Sequence, residues 1–170
     1  PGNALIVMAW VDGQVSTAAL LRNWAIVWCG NLAGALLIAA ALSQTSLISG
    51  GFGATAAKIA SGKMALAPLD IFVRAILCNA LVCLAVWLSF AATDVTGKIL
   101  SLILPVAAFV ALGLEHSIAN MFLLPFGLMA GAEGSMSLAT LNILIATAGN
   151  ILGGAGGVAL AYRYAFKPQA

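Results

Sequence analysis

Four long apolar runs divide the chain, at residues 23–42, 71–92, 99–130 and 138–161. A hydrocarbon core about 30 Å thick takes about 20 helical residues at about 1.5 Å each, so the first, second and fourth runs each predict one membrane-spanning helix. The third run is too long for one straight upright span and too short for two. Its middle carries a polar island, Gly113-Leu114-Glu115-His116-Ser117-Ile118-Ala119-Asn120, with the only histidine of the chain. We therefore expect one span broken at 113–120. Irregular backbone at membrane depth is tolerated where it lines a cavity, and ionisable groups there mark substrate pathways, which points to transport.

Ahead of these runs, residues 2–10 are apolar but too short to cross, and Val11-Asp12-Gly13-Gln14 turns the chain. This reads as the tail of another broken segment. The chain begins at a proline with no signal peptide, so N-terminal spans of a longer protein are expected to be missing, and residues 1–170 form a single membrane domain. An internal repeat fits that expectation. Gly30-Asn31-Leu32-Ala33-Gly34 recurs as Gly149-Asn150-Ile151-Leu152-Gly153, and Gly2-Asn3-Ala4-Leu5 resembles Ala119-Asn120-Met121-Phe122, both at offsets close to 118 residues. The equivalent spans are three segments apart, so the copies cross in opposite directions, as in inverted-repeat transporters whose pathway lies where the two broken segments meet. Pro1, Gly2 and Asn3 are then the end of the partner of the histidine break.

Composition agrees. Hydrophobic residues make up 63% and charged residues 7%, with a mean hydropathy of +1.10, which excludes an ordinary water-soluble fold and gives an all-α polytopic membrane protein. The net charge of +2 offers no basic stripe, so no nucleic-acid partner is expected; the lipid bilayer is the surrounding phase. Cys29, Cys78 and Cys83 have neither disulfide nor zinc spacing and read as reduced packing residues; no metal or cofactor is expected. Gly149, Gly153 and Gly157, and Gly30 with Gly34, repeat at helical spacing and predict close helix packing. Trp10, Trp24, Trp28, Trp87, Tyr162 and Tyr164 fall near segment ends as interfacial anchors. With the turn at Asp12 inside, Arg22, Lys98, Arg163 and Lys167 are cytoplasmic and Lys58, Lys63 and Arg74 external, a slight bias. The stretch 43–67 is then an external loop, and its Gly50-Gly51-Phe52-Gly53 is no phosphate loop, because no strand precedes it.

A histidine at low dielectric is drawn toward its neutral form, while an approaching anion favours the imidazolium, so His116 is suited to attract or protonate a small anion. The neutral acid loses far less solvation at the bilayer centre than the anion does. Glu115 is expected to hold the broken ends through hydrogen bonds, and Asn120, with Ser117 beside it, to cap the second half-helix. One histidine with one carboxylate supplies neither a nucleophile–base pair nor a metal cluster, so an enzyme is not expected. A haem anchor would leave the repeat and the break unexplained.

These residues resemble the formate/nitrite transporter family of aquaporin-like pentameric anion channels. The resemblance is carried by Asn23-Trp24 with Gly30-Asn31-Leu32-Ala33-Gly34-Ala35, by Arg74-Ala75-Ile76-Leu77-Cys78-Asn79 running into Leu81-Val82-Cys83-Leu84-Ala85-Val86-Trp87, and by Glu115-His116-Ser117-Ile118-Ala119-Asn120-Met121. It implies an aquaporin-like helical bundle with inverted repeats and two broken helices, a homopentamer in the cytoplasmic (inner) membrane, and a small monovalent anion and a proton as partners. It also implies that Val82 and Phe109 form a hydrophobic constriction, and that Lys63 and Asn79 tune the histidine or draw in the anion. Formate or nitrite is the expected substrate; hydrosulfide, lactate, or a neutral solute in an aquaporin-type channel are the alternatives, the last lacking its Asn-Pro-Ala pair.

Overall fold

The computed structural model describes residues 2–166; Pro1 and Lys167, used above for the repeat and the charge bias, lie outside them. Every regular element among these residues is a helix. In order they are α1 Gly2–Val11, α2 Thr17–Ser43, α3 Gly51–Met64, α4 Pro68–Ala91, α5 Val95–Ala111, α6 Ser117–Met129 and α7 Met136–Ile151. The last continues through a π-helical stretch, Leu152–Leu160, into a closing turn, α8 Ala161–Ala165.

Three helices are long and apolar enough to cross a bilayer, namely Thr17–Ser43, Pro68–Ala91 and Met136–Ala165. Helix α2 starts earlier than hydropathy alone sets it, because Ser16 accepts the Ala19 N–H at 3.2 Å and fixes the first turn ahead of the apolar residues. The stretch 43–67 is not a plain loop. Within it α3 forms 14 residues of helix, too polar on average to be recognised as a span, and it stands because Gly53, Ala56, Ala60 and Met64 bury one face, largely against α6. Outward surfaces are apolar: α5 buries no residue, and α2 buries only Leu20 and Ala39. Such a surface is stable in hydrocarbon and not in water, and the chain is a multi-pass membrane protein.

Two of the glycines predicted to pack do so. A Cβ on Gly149 would lie 2.6 Å from the Phe72 carbonyl oxygen, and one on Gly153 would strike the Ile76 carbonyl. Gly154 also faces Asn79 and Cys83, whereas Gly157, one turn beyond Gly153 in the π-helical stretch, does not meet α4. Gly30 and Gly34 meet no atom within 4 Å among the described residues, and there the packing expectation is not met. Replacing Gly153 with Ala is expected to cost about 1–3 kcal/mol by prising α7 from α4, read as a lower aggregation temperature of the detergent-solubilised protein.

The repeat has a geometric counterpart. Trp28 Nε1 donates to Thr147 Oγ1 at 3.1 Å across a separation of 119 residues, the same offset that relates Asn31 to Asn150. Residues at equivalent positions of two copies can touch only where the pseudo-two-fold axis runs between them. Asn23 bonds Asn3 at 3.0 Å in one copy, and Asn120 bonds Asn142 at 2.8 Å in the other, the same pair of positions. Half-helix α1 packs on the π-helical stretch and half-helix α6 on α2, so each leans on the long helix of the opposite copy.

Candidate functional site

The break occupies residues 112–116 and is shorter than the polar island suggests. Helix α5 ends on a Schellman motif: Gly113 has φ +63°, its N–H reaches the Val110 carbonyl at 3.0 Å, and the Leu114 N–H reaches that of Phe109 at 3.0 Å. Only glycine takes that backbone conformation without strain, which fixes where α5 stops. Helix α6 then begins at Ser117, so Ser117 and Asn120 belong to its first turn. Its N-cap is His116, whose Nδ1 accepts the Ala119 N–H at 3.3 Å. The capping role expected of Asn120 thus falls to the histidine, because the side chain of Asn120 is turned into the core.

Behind the histidine lies a fully buried carboxylate. Glu115 has no solvent exposure, and its Oε1 pairs with Lys63 Nζ at 2.7 Å. Its Oε2 accepts from Asn120 Nδ2 at 2.6 Å and from Asn142 Nδ2 at 3.2 Å. Lys63 also donates to the Leu114 carbonyl at 3.3 Å, and its own carbonyl accepts from Asn142. A buried charge is tolerable when paired and fully hydrogen-bonded, and here α3, the break, α6 and α7 all contribute. Lys63, a loop charge by sequence, is a structural counter-ion in the last turn of α3.

Asn150 holds the break from the other side. Its Oδ1 accepts the Ser117 N–H at 2.9 Å, and its Nδ2 donates to the carbonyls of Glu115 at 2.9 Å and Ala75 at 2.8 Å. One amide therefore grips the residues before and after His116 and ties them to α4. Asn79 donates to the Asn150 carbonyl at 2.5 Å, so its contact is with this clamp rather than with the imidazole. The repeat marked Asn150, but the sequence reading missed its clamp and the part of Asn142; the signal available was two amides about two turns apart on one face of an apolar helix.

A cavity of about 560 Å³ opens beside the break, with His116, Ser117, Asn79, Asn3, Trp24 and Trp28 in its wall. Trp24 and Trp28 are not interfacial anchors: their indole N–H groups bond the Asn3 carbonyl and Thr147 inside the bundle. Cys29 also faces this cavity, while Cys78 and Cys83 are buried as packing residues. Phe109 stacks on His116 with ring centroids 5.7 Å apart and 25° between planes. Val82 is buried on α4; it, Phe109 and Lys63 lie outside the cavity wall. Gly2 opens α1, and Asn3 in that first turn joins the cavity to α2. The site offers a ring nitrogen, several amides and a helix N-terminus to a small polar solute, in apolar surroundings; no group of three or more metal-ligating side chains occurs among the described residues.

The residue pattern of the formate/nitrite transporter family matches residues 1–164. The chain is 35% identical over 187 aligned residues to the formate channel FocA of Haemophilus influenzae, covering 97% of this chain and 66% of that protein. Among solved structures, an FNT family ion channel aligns with a TM-score of 0.86 at 30% identity over 96% of this chain and 67% of its own. A pentameric formate channel with formate bound aligns with a TM-score of 0.77 at 35% identity over 91% of this chain and 69% of its own. The chain thus spans about two thirds of the length of the curated relatives it matches. With the family's residue pattern covering nearly all its residues and a solved FNT family channel superposing on almost its whole length, the chain belongs to the formate/nitrite transporter family.

Proposed function

We propose that the protein is a homopentameric channel or proton-coupled transporter for small monovalent anions, formate or nitrite, in the cytoplasmic membrane. The observation that carries this reading is the placement of His116 at the broken span, capping α6 and facing the cavity. An anion leaving water is met there by the N-terminus of α6, whose dipole favours negative charge, and by the imidazole. In this reading Phe109, stacked on the imidazole, and Val82, buried on α4, supply the apolar constriction of the path. Lys63 and Asn79 act at one remove, the first by neutralising Glu115 and the second by steadying Asn150. Relatives named as formate channels, one of them pentameric with formate bound, support the substrate class and the assembly.

The test is uptake of formate, nitrite and hydrosulfide into liposomes containing the intact natural protein, with and without an inward proton gradient. Removing a hydrogen bond to a charged group costs about 1.5–3 kcal/mol, so His116→Phe is expected to lower formate flux roughly ten- to a hundredfold. Flux that is equal in the wild type and His116→Phe at every pH would reduce the histidine to a structural part.

A further inference from the structure

A backbone N–H can be accepted only by the bare nitrogen of an imidazole. Because Ala119 donates to Nδ1, the neutral ring of His116 carries its proton on Nε2; the bond made by one ring nitrogen sets the tautomer. Giving up that proton from the neutral ring would leave an imidazolate, so donation to an anion first needs a second proton on Nδ1. The lone pair that would receive it is the one that caps α6. We propose that the capping of α6 and the charging of His116 exclude each other, so that the proton that charges the ring unlatches the first turn of α6. This inference rests on the anion-pathway reading above.

The surroundings allow the ring to leave its cap alone. Asn150 holds the backbone on both sides of His116 without touching the imidazole. The Asn120 N–H still bonds the His116 carbonyl at 2.9 Å, so α6 keeps its first backbone bond. Phe109 offers the charged ring an aromatic face. The released Ala119 N–H sits at a helix N-terminus, where an anion oxygen is a suitable acceptor, so the entering anion takes the place of Nδ1 as cap. Protons balance: one enters Nδ1 from solvent and the Nε2 proton passes to the anion. The neutral ring then takes a proton from solvent at Nε2, and the recharged ring releases the Nδ1 proton to solvent and caps again.

The other charged and titratable groups around the break are few. Lys63 of α3 and Glu115 are locked to each other. On α4, Arg74 pairs with Asp70 at 3.1 Å and lies 3.5 Å from the Gly113 carbonyl, while Cys78 is within electrostatic range of the Lys63–Glu115 pair. Cys29 of α2 shares the cavity. At the break α7 presents the neutral amides Asn142 and Asn150, and α5 presents Phe109.

Nitrogen-15 NMR of histidine-labelled protein in bilayers reads the ring directly, with His116→Asn assigning its signals. At neutral pH the wild type is expected to show bare Nδ1 and protonated Nε2. Replacing the 119 amide by an ester, with lactic acid in place of alanine, removes the N–H and keeps the shape; the bias is then expected to fall to a mixture of tautomers. Ala119→Pro, tolerated in a first helical turn, is the second variant. Protonated Nδ1 in the neutral wild-type ring, or a tautomer unaffected by both variants, overturns the latch. Anion uptake on the same samples separates the two readings: absent flux overturns the pathway, and an unaltered tautomer overturns the latch alone.

Discussion

Lys63→Met is expected to remove a large part of the stability of the protein. It would leave Glu115, with no solvent exposure, as a buried carboxylate whose remaining partners are the amides of Asn120 and Asn142. Removing one member of a buried pair costs about 3–5 kcal/mol, because the other charge stays desolvated and uncompensated. The expected result is poor accumulation in the membrane and a marked fall in the aggregation temperature of the detergent-solubilised protein. The double variant Lys63→Met with Glu115→Gln removes both charges and is expected to recover most of the loss, since the amide can still meet the two asparagines. A double variant as unstable as Lys63→Met alone would mean that Lys63 matters for the packing of its stem and not for its charge.

Asn150→Leu is the second. Leucine has the branched shape of asparagine and none of its hydrogen bonds, so the Ser117 N–H and the Glu115 carbonyl lose their partner inside the bundle. Each unsatisfied group costs about 1–3 kcal/mol, which gives roughly 2–6 kcal/mol in all. The functional effect should exceed that of a remote core change of equal cost, because those two groups flank His116. The check is paired: thermal aggregation for stability, and uptake at a temperature where the variant is still folded. Wild-type uptake per folded protein would show that the backbone clamp does not position the histidine.

Much of the architecture is legible in the chain. Apolar runs mark α2, α4 and α7, and the mismatch between 99–130 and one bilayer thickness marks the broken pair α5 and α6. The repeated Gly-Asn motif marks the two long helices that meet at Trp28 and Thr147. Helix α3 was not legible, because its alanine- and glycine-rich face becomes helical only against α6. The π-helical stretch after Ile151 escaped as well; it arises where glycines let α7 press on α4, and no periodicity in the sequence announces it.

The apolar runs alone set the class, a polytopic membrane protein, and put its one histidine in a broken span. Hydropathy and length suffice for that, since a bilayer leaves an apolar chain few alternatives to helices. What each polar residue touches there is set by how the helices pack. Packing turned Lys63 from a loop charge into the counter-ion of Glu115, made His116 the cap of α6, set Asn120 and Asn142 on the carboxylate, and gave Asn150 the backbone around the histidine and Asn79 the carbonyl of Asn150. The reason is physical. Apolar surface is favoured by any apolar neighbour and can be read residue by residue, whereas a buried polar atom needs a particular partner at about 3 Å, and those partners lie on other helices, brought together by the fold.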